Sequence, residues 1–116
     1  MKKGDYESDD FLVSALKGQD MFIIILAFTA PPDMQTKLIE AAAKAGVPWI
    51  IPCEFGSDNG NPEMSAAVPM NSAKAQYREK IEALGKSNWI GIVNNPWFEY
   101  VCISPLSHAS NILSGK

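Results

Sequence analysis

The sequence predicts an α/β fold with a parallel sheet flanked by helices. Two observations carry that expectation. Short apolar runs alternate with amphipathic stretches in the order helix, strand, helix, strand, helix, strand, the rhythm of right-handed βαβ units. The first run, Met21-Phe22-Ile23-Ile24-Ile25-Leu26-Ala27-Phe28, is continuous and rich in isoleucine. A run of that kind reads as a strand wanting cover on both faces, as strands of parallel sheets do.

Taken in order, Ser8 is a good N-cap and Asp9 and Asp10 fall in the first turn of a helix, where carboxylates complement the exposed N–H groups. Phe11, Leu12, Ala15 and Leu16 follow at helical spacing, and Gly18 stops the helix. After the strand over Met21 to Phe28, Pro31-Pro32-Asp33 opens a second helix with an apolar stripe of Met34, Leu38, Ile39 and Ala42, ended by Gly46. Val47 to Pro52 is a second strand. Glu54 to Val68, rich in Gly, Asn, Asp, Ser and Pro, reads as one long loop; loops beyond about 12 residues are functional or disordered in compact domains. Asn71 or Ser72 caps a third helix carrying Ala73, Tyr77, Ile81 and Leu84 and closed by Gly85, and Trp89 to Val93 is the last clear strand. After Pro96 the pattern degrades into Trp97-Phe98-Glu99-Tyr100-Val101 and a polar tail.

Composition narrows the function classes. A chain of 116 residues with 47% hydrophobic and 20% charged residues is one globular domain's worth, neither disordered nor coiled coil. Its longest apolar run falls far short of the roughly 20 residues of a membrane helix, and no apolar segment follows Lys2 and Lys3 as a secretory signal would. No membrane partner is therefore expected. A net charge of -3 provides no basic field for nucleic acid. Cys53 and Cys102 form no CxxC pattern and read as free thiols of a reducing, cytoplasmic compartment. The one histidine, His108, excludes a His-rich metal site and reads as a solvent-exposed tail residue. In parallel α/β folds the site forms from loops at the carboxyl ends of the strands. Here those loops are Thr29-Ala30-Pro31, Cys53 to Asp58, and Asn94-Asn95-Pro96.

Several stretches carry a family resemblance. They are Gly4-Asp5-Tyr6 with Leu16-Lys17-Gly18-Gln19-Asp20, Gln35-x-x-Leu38-Ile39-Glu40-Ala41-Ala42 with Ala45-Gly46-Val47, and above all Ile51-Pro52-Cys53-Glu54-Phe55-Gly56-Ser57-Asp58. The last is similar to the I-P-S-E-F-G-x-D signature of fungal NmrA-like and isoflavone-reductase-like proteins, with Cys53 replacing the usual serine. Ile92 to Phe98 resembles that family's V-x-x-x-x-F strand end. The match spans roughly residues 3 to 101. It implies an atypical short-chain dehydrogenase/reductase with an NAD(P)-binding Rossmann domain, partial over residues 1–101 and followed by a divergent tail over 102–116.

The departures carry expectations too. The family's G-x-x-G-x-x-G loop, whose backbone reaches the pyrophosphate, has no counterpart here. The chain is read as beginning at the family's third strand, over Lys2 to Tyr6, and as a fragment. In a 3-2-1-4-5-6 sheet without strands 1 and 2, Met21 to Phe28 becomes an open apolar edge, a site for self-association. Cofactor binding by the chain alone is then expected to be weak.

The resemblance implies an oxidoreductase that moves hydride between NADPH and a small aromatic or polyketide-like carbonyl or enone. Rival readings are a non-catalytic dinucleotide-sensing regulator and an inactive truncated product. Lys74 matches the family's functional lysine, which holds the nicotinamide ribose and assists proton transfer; without the match it is a solvated lysine in an exposed first helical turn. Pro52, Cys53, Glu54 and Phe55 would line the nicotinamide, or simply break the strand. Cys53 reads more readily as a small buried hydrophobe than as a reactive thiol, and Glu54 and Asp58 as turn caps than as a carboxylate pair or metal site. Phe28 and Thr29 lie where the family passes under the adenosine side of the cofactor, though a core phenylalanine accounts for Phe28 equally well. Asn95 and Pro96 end the last strand near the nicotinamide, in what is also an ordinary turn-forming sequence. Gln35 matches a recurrent family glutamine, or is an exposed helix residue. Tyr77 shares the helix face of Lys74 and is expected to pack.

Overall fold

In a computed structural model of the chain, the structure describes residues 4–27, 29–67 and 69–94, with backbone alone at 64, 65, 67 and 69–73. Phe28, Asn95, Pro96 and everything after them lie outside the described residues. The elements are α1 (Asp9–Leu16), β1 (Met21–Ile23), α2 (Met34–Ala45), β2 (Trp49–Ile51), α3 (Pro62–Ala67), α4 (Pro69–Leu84) and β3 (Asn88–Trp89). The strands form one sheet in the order β1-β2-β3, all parallel, with Met21 opposite Trp49 and Trp49 opposite Asn88. This is the βαβ architecture that the alternation predicts. Among the described residues no helix is long and apolar enough to cross a membrane.

The helices begin and end on physical signals. The Ser8 hydroxyl accepts the Phe11 N–H at 3.3 Å and caps α1, which buries Leu12 and Leu16 one turn apart. Gly46, at φ +77°, ends α2; its N–H reaches the Ala43 carbonyl and that of Val47 reaches Ala42, the paired bonds of a Schellman motif. α1 packs on α2 and α2 on α4, so the three long helices form one layer. They share a core with the sheet through Leu12, Ile24, Ile39, Ile50 and Ile81.

The two faces of the sheet are unequal. Phe22, Ile24, Ile50 and Trp89 face the helices and belong to that core or pack against it. Met21, Ile23 and Ile25 alternate with them and are 43%, 51% and 76% exposed, and Trp49, in register with Met21, is 42% exposed. Only one face of the apolar run therefore has cover from the described residues.

Five local expectations are corrected. β1 stops at Ile23 instead of running to Phe28: its ladder ends with the Ile24 N–H on the Ile51 carbonyl at 2.9 Å, where β2 itself ends. β3 is likewise short, ending with the Ile90 N–H on Ile50, and the pairing resumes only as a single bridge between Gly56 and Val93. The segment from Glu54 to Val68 contains α3, which starts on strong local signals. The Asn61 side-chain oxygen accepts the Glu63 N–H at 2.9 Å, and Pro62 takes the first helical position. α4 begins at Pro69, before Asn71 and Ser72, again with proline at its first position. Finally, Gly4 to Tyr6 are not a strand. Asp5 instead closes a turn, its carbonyl accepting the Ser8 N–H and its carboxylate the Glu7 N–H.

Candidate functional site

At the carboxyl end of β2 the chain turns sharply. Pro52 cannot continue the ladder, the Glu54 N–H folds back onto the Pro52 carbonyl at 2.8 Å, and Phe55 takes a φ of +21°. Positive φ strains a side chain with a Cβ and persists only where the surroundings enforce it. Cys53 ties this turn to the segment that follows β1: its Sγ accepts the Leu26 N–H at 3.3 Å. The thiol is free and half-buried, and Cys53 packs against the core as a small hydrophobe would.

α4 supplies the cations. Lys74 and Arg78, four residues apart, lie on one helix face, and both reach Glu54. The Lys74 Nζ donates to the Glu54 carbonyl at 3.0 Å. The Arg78 Nε donates to one Glu54 carboxylate oxygen at 2.7 Å, and a terminal guanidinium nitrogen bonds the other oxygen. Glu54 is 2% exposed, and the Arg78 guanidinium stacks over the Trp89 ring at 4.6 Å. The hydrogen bond to Glu54 is the main cause holding the Arg78 guanidinium above its usual proton affinity, against the opposing effect of burial. Arg78 is thus a permanent cation facing a buried acid.

Several sequence expectations change here. Lys74 is half-buried and beyond the first turn of α4, not a solvated first-turn residue. Glu54 is no turn cap: its carboxylate is taken by Arg78. Asp58 is one, accepting the Gly60 N–H at 2.9 Å. Gln35 is 4% exposed, which removes the exposed-helix reading. Tyr77 packs against the core as expected, and its hydroxyl donates to the Pro32 carbonyl at 3.3 Å. Thr29 sits exposed in a turn after β1, closed by the Ala30 N–H on Ala27. The structure thus brings Pro52, Cys53, Glu54, Phe55 and Lys74 together, and places Thr29 in a turn well beyond the end of β1. Sequence reasoning missed Arg78. Its signal was the four-residue spacing from Lys74, which puts the guanidinium on the same face.

An ammonium held at the carboxyl end of a parallel strand can hydrogen-bond a ligand hydroxyl and pass a proton to a reacting oxygen. Glu54 is committed to Arg78 and is not free to act as a base. A groove of about 530 Å³ lies at the other end of the sheet, lined by Trp49, Glu82, Ser87, Asn88 and Trp89 among others. Parallel α/β folds bind ligands at the carboxyl ends, so the groove is the poorer candidate.

Comparison with known proteins gives the family and the fold. A sequence model of the NmrA-like family matches residues 1–105. The chain belongs to the NmrA-like family. A relative, the oxidoreductase aprR of Aspergillus flavus, is 39% identical over 100 residues, which cover 82% of this chain and 33% of the relative. Among solved structures, isoflavone reductase matches with a TM-score of 0.68 at 28% identity, covering 84% of this chain and 32% of its own. AtPrR2, solved with NADP+ and (+)pinoresinol, matches with a TM-score of 0.69 at 27% identity, covering 90% and 35%. The fold is therefore that of the Rossmann-like reductases, and the chain spans about a third of the length of each of these relatives.

Proposed function

We propose that this NmrA-like chain carries the nicotinamide half of an NADP(H) site in an oxidoreductase of small carbonyl or enone compounds. The observation that carries the reading is the Lys74 ammonium, held 3.0 Å from the Glu54 carbonyl at the carboxyl end of β2. The donor set fits a nicotinamide riboside: a cation for ribose hydroxyls and a reacting oxygen, and the ring of Phe55 for an aromatic face. It does not extend to the pyrophosphate, since the sequence has no G-x-x-G-x-x-G.

When bound, NADPH supplies the hydride. Lys74 then does two things. Its N–H groups orient the ribose hydroxyls, and one proton moves from Nζ to the substrate oxygen as charge develops there. Phe55 keeps water from that side of the turn. The Glu54 carbonyl limits where the Lys74 ammonium can travel. The Aspergillus flavus relative supports oxidoreductase chemistry, and the NADP+ complex of AtPrR2 supports the cofactor.

The test places residues 1–105 of this chain in the Aspergillus flavus oxidoreductase, in place of its matching third, and follows NADPH consumption with aromatic carbonyls and enones. Lys74→Ala in that protein is expected to lower turnover about 10²-fold, the scale of general acid–base catalysis. Equal turnover with and without Lys74 contradicts the assignment.

A further inference from the structure

We infer that the buried Glu54–Arg78 pair is the positioning device for Lys74. The inference rests on the reading of Lys74 as the ammonium at the reacting oxygen. A lysine side chain has many rotamers, and a single hydrogen bond fixes Nζ only if the acceptor itself is fixed. The acceptor is the carbonyl of Glu54, in a turn whose next residue, Phe55, sits at φ +21°. Such a turn needs holding.

Arg78 holds it. The guanidinium forks onto both oxygens of the Glu54 carboxylate, the geometry that makes arginine a directional clamp. The guanidinium is in turn confined. Trp89 stacks on it, and two glycines leave the space it fills: a Cβ at Gly60 would lie 2.9 Å from one of its terminal nitrogens, and a Cβ at Gly91 3.0 Å from the other. Glu54 is thus gripped at its carboxylate by Arg78 and at its carbonyl by Lys74, and both side chains rise from one face of α4. The N–H of Glu54 is spent on Pro52. Helix and turn move as one body, and the distance from Lys74 to the turn follows. A buried ion pair is a poor device for stability, since apolar side chains of equal volume do as well, and geometry is the better account of its presence here.

The test reads where the ammonium is held rather than turnover, so its failure and a failure of the catalytic reading of Lys74 are separate results. The full chain is pulse-labelled with acetic anhydride across a pH series, and each lysine is followed by mass spectrometry with exposed Lys17 and Lys86 as references. In the parent chain Lys74 is expected to label several-fold more slowly than the references. Glu54→Leu/Arg78→Met keeps the volume and removes both charges; in it the Lys74 rate is expected to rise to that of Lys86. Arg78→Ala alone removes the clamp, so in it too the Lys74 rate is expected to rise towards that of Lys86. A pair that only stabilises the fold would change the melting temperature and leave the Lys74 rate and curve where they are in the parent; that result overturns the inference. Where Arg78→Ala fails to fold, the double variant decides, and parent-like labelling of Lys74 in it refutes positioning.

Discussion

Ile24 and Ile25 are adjacent in one run, yet Ile24 is 1% exposed and Ile25 is 76% exposed. The contrast extends to the two faces of the sheet. On the helix side Ile39, Ile50 and Ile81 are fully buried, and at its carboxyl rim the acid Glu54 is met by a fork from Arg78. On the other side Met21, Ile23, Ile25 and Trp49 are exposed, while Ile51, in register with Ile23, is buried. The covered face has the packing that lets a polar constellation be held in place, and the candidate lysine is anchored at its edge. The open face has the same residue types and no such order. Similar apolar residues thus meet different surroundings on the two faces.

The largest expected effect breaks the covered side. Arg78→Ala strands a buried carboxylate and is expected to cost about 3–5 kcal/mol in urea unfolding, whereas Glu54→Leu/Arg78→Met is expected to be nearly neutral. An equal loss in both would mean that packing against Trp89, and not charge pairing, is what Arg78 supplies.

The adjacent isoleucines sharpen the comparison. Ile24→Ala is expected to cost about 2–5 kcal/mol, the range for emptying a packed site. Ile25→Ala is expected to stay within about 0.5 kcal/mol. Ile23→Lys should also reduce any self-association seen by size-exclusion chromatography, because a charge on the edge strand β1 opposes pairing. Similar costs at the two positions would mean that Ile25 is covered in solution.

These residues mark what the sequence could disclose. Periodicity and caps sufficed for α1 and α2, since Ser8, Gly18 and Gly46 act locally. The strand beginning at Met21 was legible, but its end was not, because that depends on where β2, from a distant segment, turns away. The helix inside the stretch from Glu54 to Val68 was masked by composition, although Asn61-Pro62-Glu63 is a helix start. Lys74 and the turn at Pro52 to Phe55 were found through the family resemblance. Arg78 was not, since a charged residue on a helix reads as solvated until the tertiary fold buries an acid beneath it. The burial of Gln35 is likewise a product of helix packing that no local signal encodes.

The smallest expected effect lies far from the site. Lys37 donates to both the carbonyl and the carboxylate of Glu7, and the hydrogen bond to that carboxylate raises its proton affinity above the usual 10.5. A raised folded-state value means that this contribution is fully present below 10.5 and is lost as pH rises through the higher value. The melting temperatures of the parent and Lys37→Met should differ slightly below that pH and converge above it. A gap that persists in strong alkali would assign the effect to packing of the Lys37 stem.

The central claim is that the turn Pro52 to Phe55 and Lys74 form a nicotinamide-side site. It is tested most directly by NMR titration of the isotope-labelled chain with reduced nicotinamide mononucleotide and with NADPH. The account predicts that both move the signals of Cys53, Glu54, Phe55 and Lys74, and that Lys74→Ala abolishes the response. It also predicts a dissociation constant for NADPH weaker than micromolar, since about -8 kcal/mol is more than the nicotinamide half should supply. Signals moving at Trp49, Ser87 and Asn88 instead, or a micromolar constant that survives Lys74→Ala, would contradict it.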